Sequence, residues 1–322
     1  SRPQPGTRVA LRPSRPQSRG PVSLQPATVG APTEGDDAVL PRLRLPGIGW
    51  LGVVFVGVIT TVAVVGPLLA PFRVTELAGR PLEGPSPGHL FGTNSVGQDL
   101  LSQLVSGARV SLFVAVVAGG GTLLLGAVIG TVAGWMGGRV DAVLMRLVDV
   151  VLVIPKLPLL IVAGAYVGPS VGGIATIIAL TSWPPNARVL RSQVLSLRRR
   201  AHLRAAVGFG AGTLRMLRHH VMPELGLILA SGLVAAAGRA VTLEAGLAFL
   251  GLGDPSRASW GSIMRDALDF SGLFYTRAWA WWLVPPVAAI ALLLLGITFL
   301  GIAVEQWVNP RVARHATAGG QP

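Results

Sequence analysis

From about residue 48 to residue 304 the chain alternates long apolar runs with shorter polar stretches. A run of roughly 20 apolar residues is what a helix needs to cross a bilayer. The runs predict six helical spans: about Ile48–Leu69, Val110–Trp135, Leu144–Val167, Val171–Trp183, Leu225–Leu250 and Trp281–Val304. The fourth is short, because Pro184 and Pro185 are expected to end it. Gly137–Gly138 is expected to end the second, as glycine does just past a helix.

Polar residues divide the chain further. Residues 1–46 are rich in Pro, Arg, Ser, Gln and Gly, with no apolar period. Such a segment cannot bury enough surface to fold alone, and reads as a disordered basic tail. No apolar core follows its first arginines, so a cleavable leader is not expected. The expected organisation is that tail, then the first span with an outer segment (47–109). A five-helix core over 110–306 follows, containing a polar loop at 196–224, and a short tail over 307–322.

The composition agrees with a membrane protein. Of 322 residues, 51% are hydrophobic and 13% charged, and mean hydropathy is +0.61. A soluble domain carries about 25% charged residues. The net charge is +13, but the excess sits in the N-terminal tail and the 186–224 stretch. Topology and anionic lipid therefore account for it better than nucleic acid, and no basic–aromatic interleaving is present. With six spans both termini share a side with the arginine-rich loop, and the positive-inside rule makes that side the cytoplasm. Segments 73–107 and 251–279 then face outward, and Trp279, Trp281 and Trp282 are expected as interfacial anchors.

Chemistry of the catalytic kind is not legible. There is no cysteine, so thiolate metal sites and disulfides are excluded. Lys156 is the single lysine and lies in IPKLP, so no GxxxxGK[ST] phosphate loop exists. No HExxH or GxSxG occurs, and the five histidines lack metal-ligand spacing. No catalytic, cofactor or metal residue is expected in this chain, and any energy for work must come from a partner.

Charges and small residues inside the spans carry more. Asp149 is costly at membrane depth, and Arg146, three residues earlier, is its expected partner. A structural pair and a place in a transport path are both open for it. Glu244 has no local partner within a turn beyond Arg239, and is expected to face the bundle interior or a wet passage. Gly119, Gly126, Gly130 and Gly134 make a small-residue stripe on the second span. Such a stripe suits packing within the chain or a seam against a second membrane subunit.

The loop from Ser196 to Glu224 is the most distinctive segment. Arg198–Arg200 precede a helix expected from about His202 to Phe209, which presents Ala205 and Ala206. Gly208, Gly210 and Gly212 break it, and a second helix over about Thr213–Val221 leads to Pro223. A short helix held at both ends can pass on a partner's rigid-body movement.

RAAVGFGAGTLRMLRHHVMPE, residues 204–224, resembles the EAA loop by which ABC importer permeases dock their ATPase. Ala205, Ala206, Gly210 and Pro223 match; Arg204 stands where the family has Glu, and Met222 where it has Leu. Residues 89–112 are similar to the peptide-importer pattern GTDxxGRDxxSRxxxGxRxSL, with Asn94 and Gln98 in place of Asp and Arg. Residues 133–155 resemble GxxGGxxDxxxMRxxDxxxxxP, and LEAGLAFLGLG with Ser259–Gly261 resembles ExxLSFLGLG…PSWG. At the C-terminal end, residues 305–312 keep only Pro310–Arg311 of the family's DxLRDxLDPR. The motifs keep family order over about residues 45–312.

The resemblance implies an all-α type I ABC importer permease of the dipeptide/oligopeptide/nickel type, in a bacterial inner membrane. It implies a cytoplasmic coupling helix built from Arg204, Ala205, Ala206, Gly208, Gly210, Ala211 and Gly212. It also implies a homologous second permease, two ATPase subunits that hold ATP and Mg, and an extracytoplasmic substrate-binding protein. Peptides are the expected cargo, with nickel chelates an alternative of the same family. A secondary transporter is disfavoured because only Asp149 and Glu244 are acids within spans.

Overall fold

The computed structural model describes residues 47–70, 72–201, 203 and 212–308, and about three quarters of them are helical. The helices are α1 (Gly47–Leu69), α2 (Leu100–Met136), α3 (Gly138–Val153), α4 (Lys156–Val167), α5 (Val171–Ser182) and α6 (Pro184–Arg198). Further along come α7 (Thr213–Met216), a π turn (Leu217–Val221), α8 (Met222–Leu247) and a second π turn (Ala248–Leu252). The chain then forms α9 (Trp260–Asp269), α10 (Ala278–Trp282) and α11 (Val284–Val308). Among the described residues strand pairing is limited to two isolated bridges, Leu77 with Gln98 and Thr93 with Asp99.

Four stretches are long and apolar enough to cross a membrane: Gly49–Leu68, Leu100–Met136, Leu217–Leu252 and Ala278–Gln306. The α3–α4 pair adds a fifth crossing if its two halves count as one, and α5 is a shorter apolar helix of 12 residues. This is a multi-pass helical membrane protein, compatible with six spans.

Three helices depart from the sequence expectation. The second span begins ten residues early, at Leu100, because the Asp99 carboxylate caps it. Asp99 Oδ2 accepts from the Ser102 N–H at 2.8 Å and from its hydroxyl at 2.7 Å. The third span is broken, with α3 and α4 bent by 87°. Ile154 is extended (ψ 125°) because it precedes Pro155, and that proline starts the new helix. The double proline at 184–185 does not end the fourth helical segment for good. Trp183 keeps helical angles, and both prolines fall in the first turn of α6, where no backbone donor is needed.

Helix α2 is the axis of the molecule, packing against α1, α3, α5, α6 and α8. The glycine stripe explains the close approach. A Cβ on Gly119 would lie 2.8 Å from the Ala237 backbone of α8. One on Gly126 would lie 2.7 Å from the Asn186 Cβ, and one on Gly134 2.9 Å from the Arg191 carbonyl. The stripe is therefore used within the chain, against α6 and α8. Elsewhere α1 and α11 cross at Gly52 and Gly296, each of which abuts the other helix.

Candidate functional site: docking loop, outer cap and intramembrane charges

The candidates of the 196–224 loop come first. Arg204, Ala205, Ala206, Gly208, Gly210 and Ala211 lie outside the described residues. Gly212 is described and exposed, and among the described residues no atom stands near where its Cβ would be. The loop's flanks are well defined. Leu203 before it and Met216 after it are 1% and 0% exposed. Both enter one apolar cluster with Leu197, Val221, Leu225 and Trp135. Arg200 and Glu224 form an ion pair across the same base. Helices α6 and α8 are thus tied together at the two ends of the 204–211 stretch. The second helix expected over 213–221 is present as α7 and its π turn, continuous with α8.

Four charges tie α3 to α6. Asp141 takes a two-pronged contact from Arg191, at 2.5 Å from Nε and 2.6 Å from Nη2. Asp149 pairs with Arg188 at 2.5 Å. The expected Arg146–Asp149 pair is not formed; Arg146 stays exposed on its own helix, because Arg188 reaches Asp149 from the neighbouring one.

Glu244 is 2% exposed in α8, so the expected interior position holds. Its Oε2 has no partner among the described residues, and its carboxyl meets the Ser259 side chain. Arg239, the only nearby cation on its helix, points elsewhere: its Nη2 faces Asn186 Oδ1 at 3.4 Å.

The motif Ser259–Trp260–Gly261 packs helix α9 onto α2 and α8. Ser259 caps α9 in a reciprocal capping box with Ser262. The Trp260 indole donates to the Leu104 carbonyl at 2.9 Å while its ring lies on Gly107 of α2. Gly261 lets α9 sit directly on the Ala245 carbonyl. Trp282, expected at the lipid interface, is instead 1% exposed core beside Phe270, and Trp281 is half-buried; only Trp279 is exposed.

Asn94 and Gln98, the two departures from the family pattern, are partners. Asn94 Nδ2 donates to Gln98 Oε1 at 2.8 Å, and Gln103 Nε2 donates to the same oxygen at 2.8 Å. Nearby, Asp99 Oδ1 lies 3.0 Å from His89 Nδ1, both residues buried. A cavity of about 420 Å³ opens beside this network, with Gln98, Gln103, Gly251, Asp254, Arg265 and Asp266 among its walls. Partial burial pushes the Asp266 carboxyl above its ordinary range; Arg265 opposes this and Asp269 adds to it. Burial pushes Asp254 up too, but bonds from the Ser256 hydroxyl and N–H, with Arg257 nearby, outweigh it and leave the carboxyl lowered.

Sequence reasoning missed Arg188, Arg191 and Asn186. The available signal for Arg188 and Arg191 was their i, i+3 spacing on one face of a helix, opposite the carboxylates Asp149 and Asp141; Asn186 lies on another face and carried no such signal.

The model for binding-protein-dependent transport system inner membrane components matches residues 126–314. The chain belongs to that permease family. Within the family it is 33% identical over 278 residues to the dipeptide transport system permease protein DppC of Bacillus subtilis (strain 168). That match covers 85% of each chain. It is 31% identical to the oligopeptide transport system permease protein OppC of the same strain, over 86% of this chain and 90% of the relative. To the dipeptide permease protein DppC of Alkalihalophilus pseudofirmus it is 31% identical, over 84% and 88%. The permease-family match takes in the broken α3–α4 pair, the 196–224 loop, Glu244 and the Ser259–Gly261 motif.

Proposed function

We propose that this chain is the permease subunit of an ATP-driven importer of di- and oligopeptides. The observation that carries the reading is the near full-length similarity to dipeptide and oligopeptide permeases. Those names favour peptides over nickel chelates as cargo.

The chain forms half of a translocation path with a homologous second permease. Two cytoplasmic ATPases hold ATP and Mg, and one docks on residues 201–213 through Arg204, Ala205, Ala206, Gly208, Gly210, Ala211 and Gly212. The apolar cluster shared by Leu203 and Met216 supports this role, because a push on the loop reaches α6 and α8 together. ATP binding then shifts the pair between inward- and outward-facing states. A binding protein delivers peptide to the outer face, where the segments around the 420 Å³ cavity lie. Both termini are cytoplasmic, supported by the arginine count of the 186–224 stretch. Asp149 and Arg188 form a structural tie, while Glu244 sits under the outer cap.

The test is uptake of a labelled dipeptide by proteoliposomes that hold both permeases and the ATPases, with the binding protein added outside. Uptake that needs ATP and both ATPases supports the reading. Uptake that persists without them, driven by an ion gradient, rules it out.

A further inference from the structure

The side-chain amides of Asn94, Gln98 and Gln103 are set in one orientation by the backbone. Asn94 Oδ1 accepts from the N–H groups of Val96 at 3.0 Å and Gln98 at 2.9 Å. Its Nδ2 therefore faces Gln98, and the Gln98 atom that meets it at 2.8 Å is the oxygen. That oxygen also takes Gln103 Nε2 at 2.8 Å, and the same nitrogen reaches the Val74 carbonyl at 3.4 Å. Asn94 is 3% exposed and Gln103 5%, so the linked amides have little room to turn.

Two groups are left over. Gln98 Nε2 keeps its hydrogens and Gln103 Oε1 its lone pairs, with no partner among the described residues. Neither atom is sealed inside the protein, and both side chains line the 420 Å³ cavity. Its volume lies within the range of small-ligand sites, about 300–1,000 Å³. The charges of its wall balance except for one. Arg265 is tied to Asp269 at 3.3 Å. Arg257 shares a turn with Asp254, whose Oδ1 is taken by Ser256. Asp266 lines the cavity with no ion pair or hydrogen bond among the described residues.

A donor, an acceptor and an unpaired carboxylate complement the N-terminal end of a peptide. The N–H and carbonyl of one residue in an extended chain bond to the same side, as they do in a sheet. Contacts to the main chain are blind to side chains, which suits cargo of varied sequence. We propose that this cavity holds the N-terminal end of a cargo peptide. Asp266 takes the α-ammonium, while Gln103 Oε1 and Gln98 Nε2 take the N–H and carbonyl of the second residue. That the occupant is cargo rests on the peptide-importer reading; the amide-and-ammonium chemistry rests on the wall. The arginine that the resembled family has at position 98 would set a second cation against the ammonium, so the site belongs to this chain's own sequence.

The chain has no cysteine, so T75C places a single thiol in the same wall. Thr75 is exposed and its side chain makes no hydrogen bond among the described residues. The assembled transporter carrying T75C, in phosphatidylcholine nanodiscs without binding protein, is treated with N-ethylmaleimide. Modification at position 75 is read by mass spectrometry. Trialanine is expected to slow it. N-acetyl-trialanine lacks the ammonium, and is expected to need about tenfold higher concentration for the same protection, the loss of a charge-assisted contact. The analogue with an ester in place of the first peptide bond lacks the N–H, and is expected to need about fivefold more. In D266N the requirement for trialanine is expected to rise about tenfold, while that for the N-acetyl compound stays as it was. Equal protection by the three compounds, no protection by trialanine, or an unchanged response in D266N overturns the proposal. Protection by the binding protein alone overturns it in favour of a docking surface for that protein. Peptide uptake by the wild-type transporter with its binding protein is measured in parallel. ATP-driven uptake without protection refutes the site and leaves the importer reading intact, whereas absence of ATP-driven uptake refutes that reading.

Discussion

The Trp260 indole donates to the Leu104 carbonyl at 2.9 Å, with its ring laid on Gly107 one turn further along α2. This contact fastens helix α9 to the central helix. The ring occupies the place of any Cβ at position 107, so G107A forces α9 away from α2. We expect a loss of about 1–3 kcal/mol of stability, typical of overpacking. W260F keeps most of the apolar contact and loses one hydrogen bond, about 1 kcal/mol. Thermal unfolding of the detergent-solubilised protein checks both.

A second prediction concerns the seam between α2 and α6. The Ala187 carbonyl abuts Gly130, whereas Gly120 faces open space. G130A is expected to cost about 1–3 kcal/mol by prying the helices apart. G120A is expected to be neutral or slightly stabilising, since alanine favours a helix by about 1 kcal/mol over glycine. Equal melting temperatures for the two variants would count against the seam.

Asn94 and Gln98 supply a third. They bond to each other at 2.8 Å where the resembled family places Asp and Arg. The single change N94D sets a carboxylate against the Gln98 carbonyl oxygen and is expected to destabilise. Adding Q98R is expected to restore stability, with a coupling of about 0.5–3 kcal/mol in a double-mutant cycle. Additive effects would show that the pair is not a unit.

Asp266 gives a pH dependence. Its carboxyl is raised above the ordinary value of 3.8 in the fold. Between the ordinary and the raised value the folded state binds more protons than the unfolded one. The contribution of Asp266 to stability therefore falls as pH rises through that window. Relative to wild type, D266N is expected to gain stability as pH increases from below 3.8 to neutral. Melting curves across that range read the difference, and a gain in the acid direction would contradict the assignment.

Much of this fold was legible because apolar runs of span length leave few alternatives in a chain this hydrophobic. What was not legible depended on single residues or on tertiary contacts. The Leu144–Val167 run is continuous in hydropathy, yet Pro155 forces Ile154 into an extended conformation and breaks it. Residues 100–109 carry Gln103, Ser102 and Arg109 and look like a loop; one carboxylate at Asp99 makes them helical. Asp149 has a cation at helical spacing in Arg146, but the crossing of α3 and α6 brings Arg188 closer. Glu244 was recognisable from its charge within an apolar run, whereas its neighbour Ser259 comes from a different segment, at the start of α9. Residues 204–211 were singled out by their small side chains and glycines and by the motif, and they lie outside the described residues.

That motif carries the next prediction. G210W adds bulk where the coupling segment is expected to turn. ATP hydrolysis is expected to continue while peptide uptake falls at least about tenfold, as when a transmitting contact is lost. Uptake at the wild-type level would remove Gly210 from the coupling role.

The central claim, that this chain works through an ATPase it does not contain, is tested most directly by affinity purification of the tagged protein from native membranes in mild detergent. Mass spectrometry of the purified complex is expected to find a second permease and ATPase chains carrying a phosphate-binding loop. Repeated recovery of the chain without any ATPase would contradict the account.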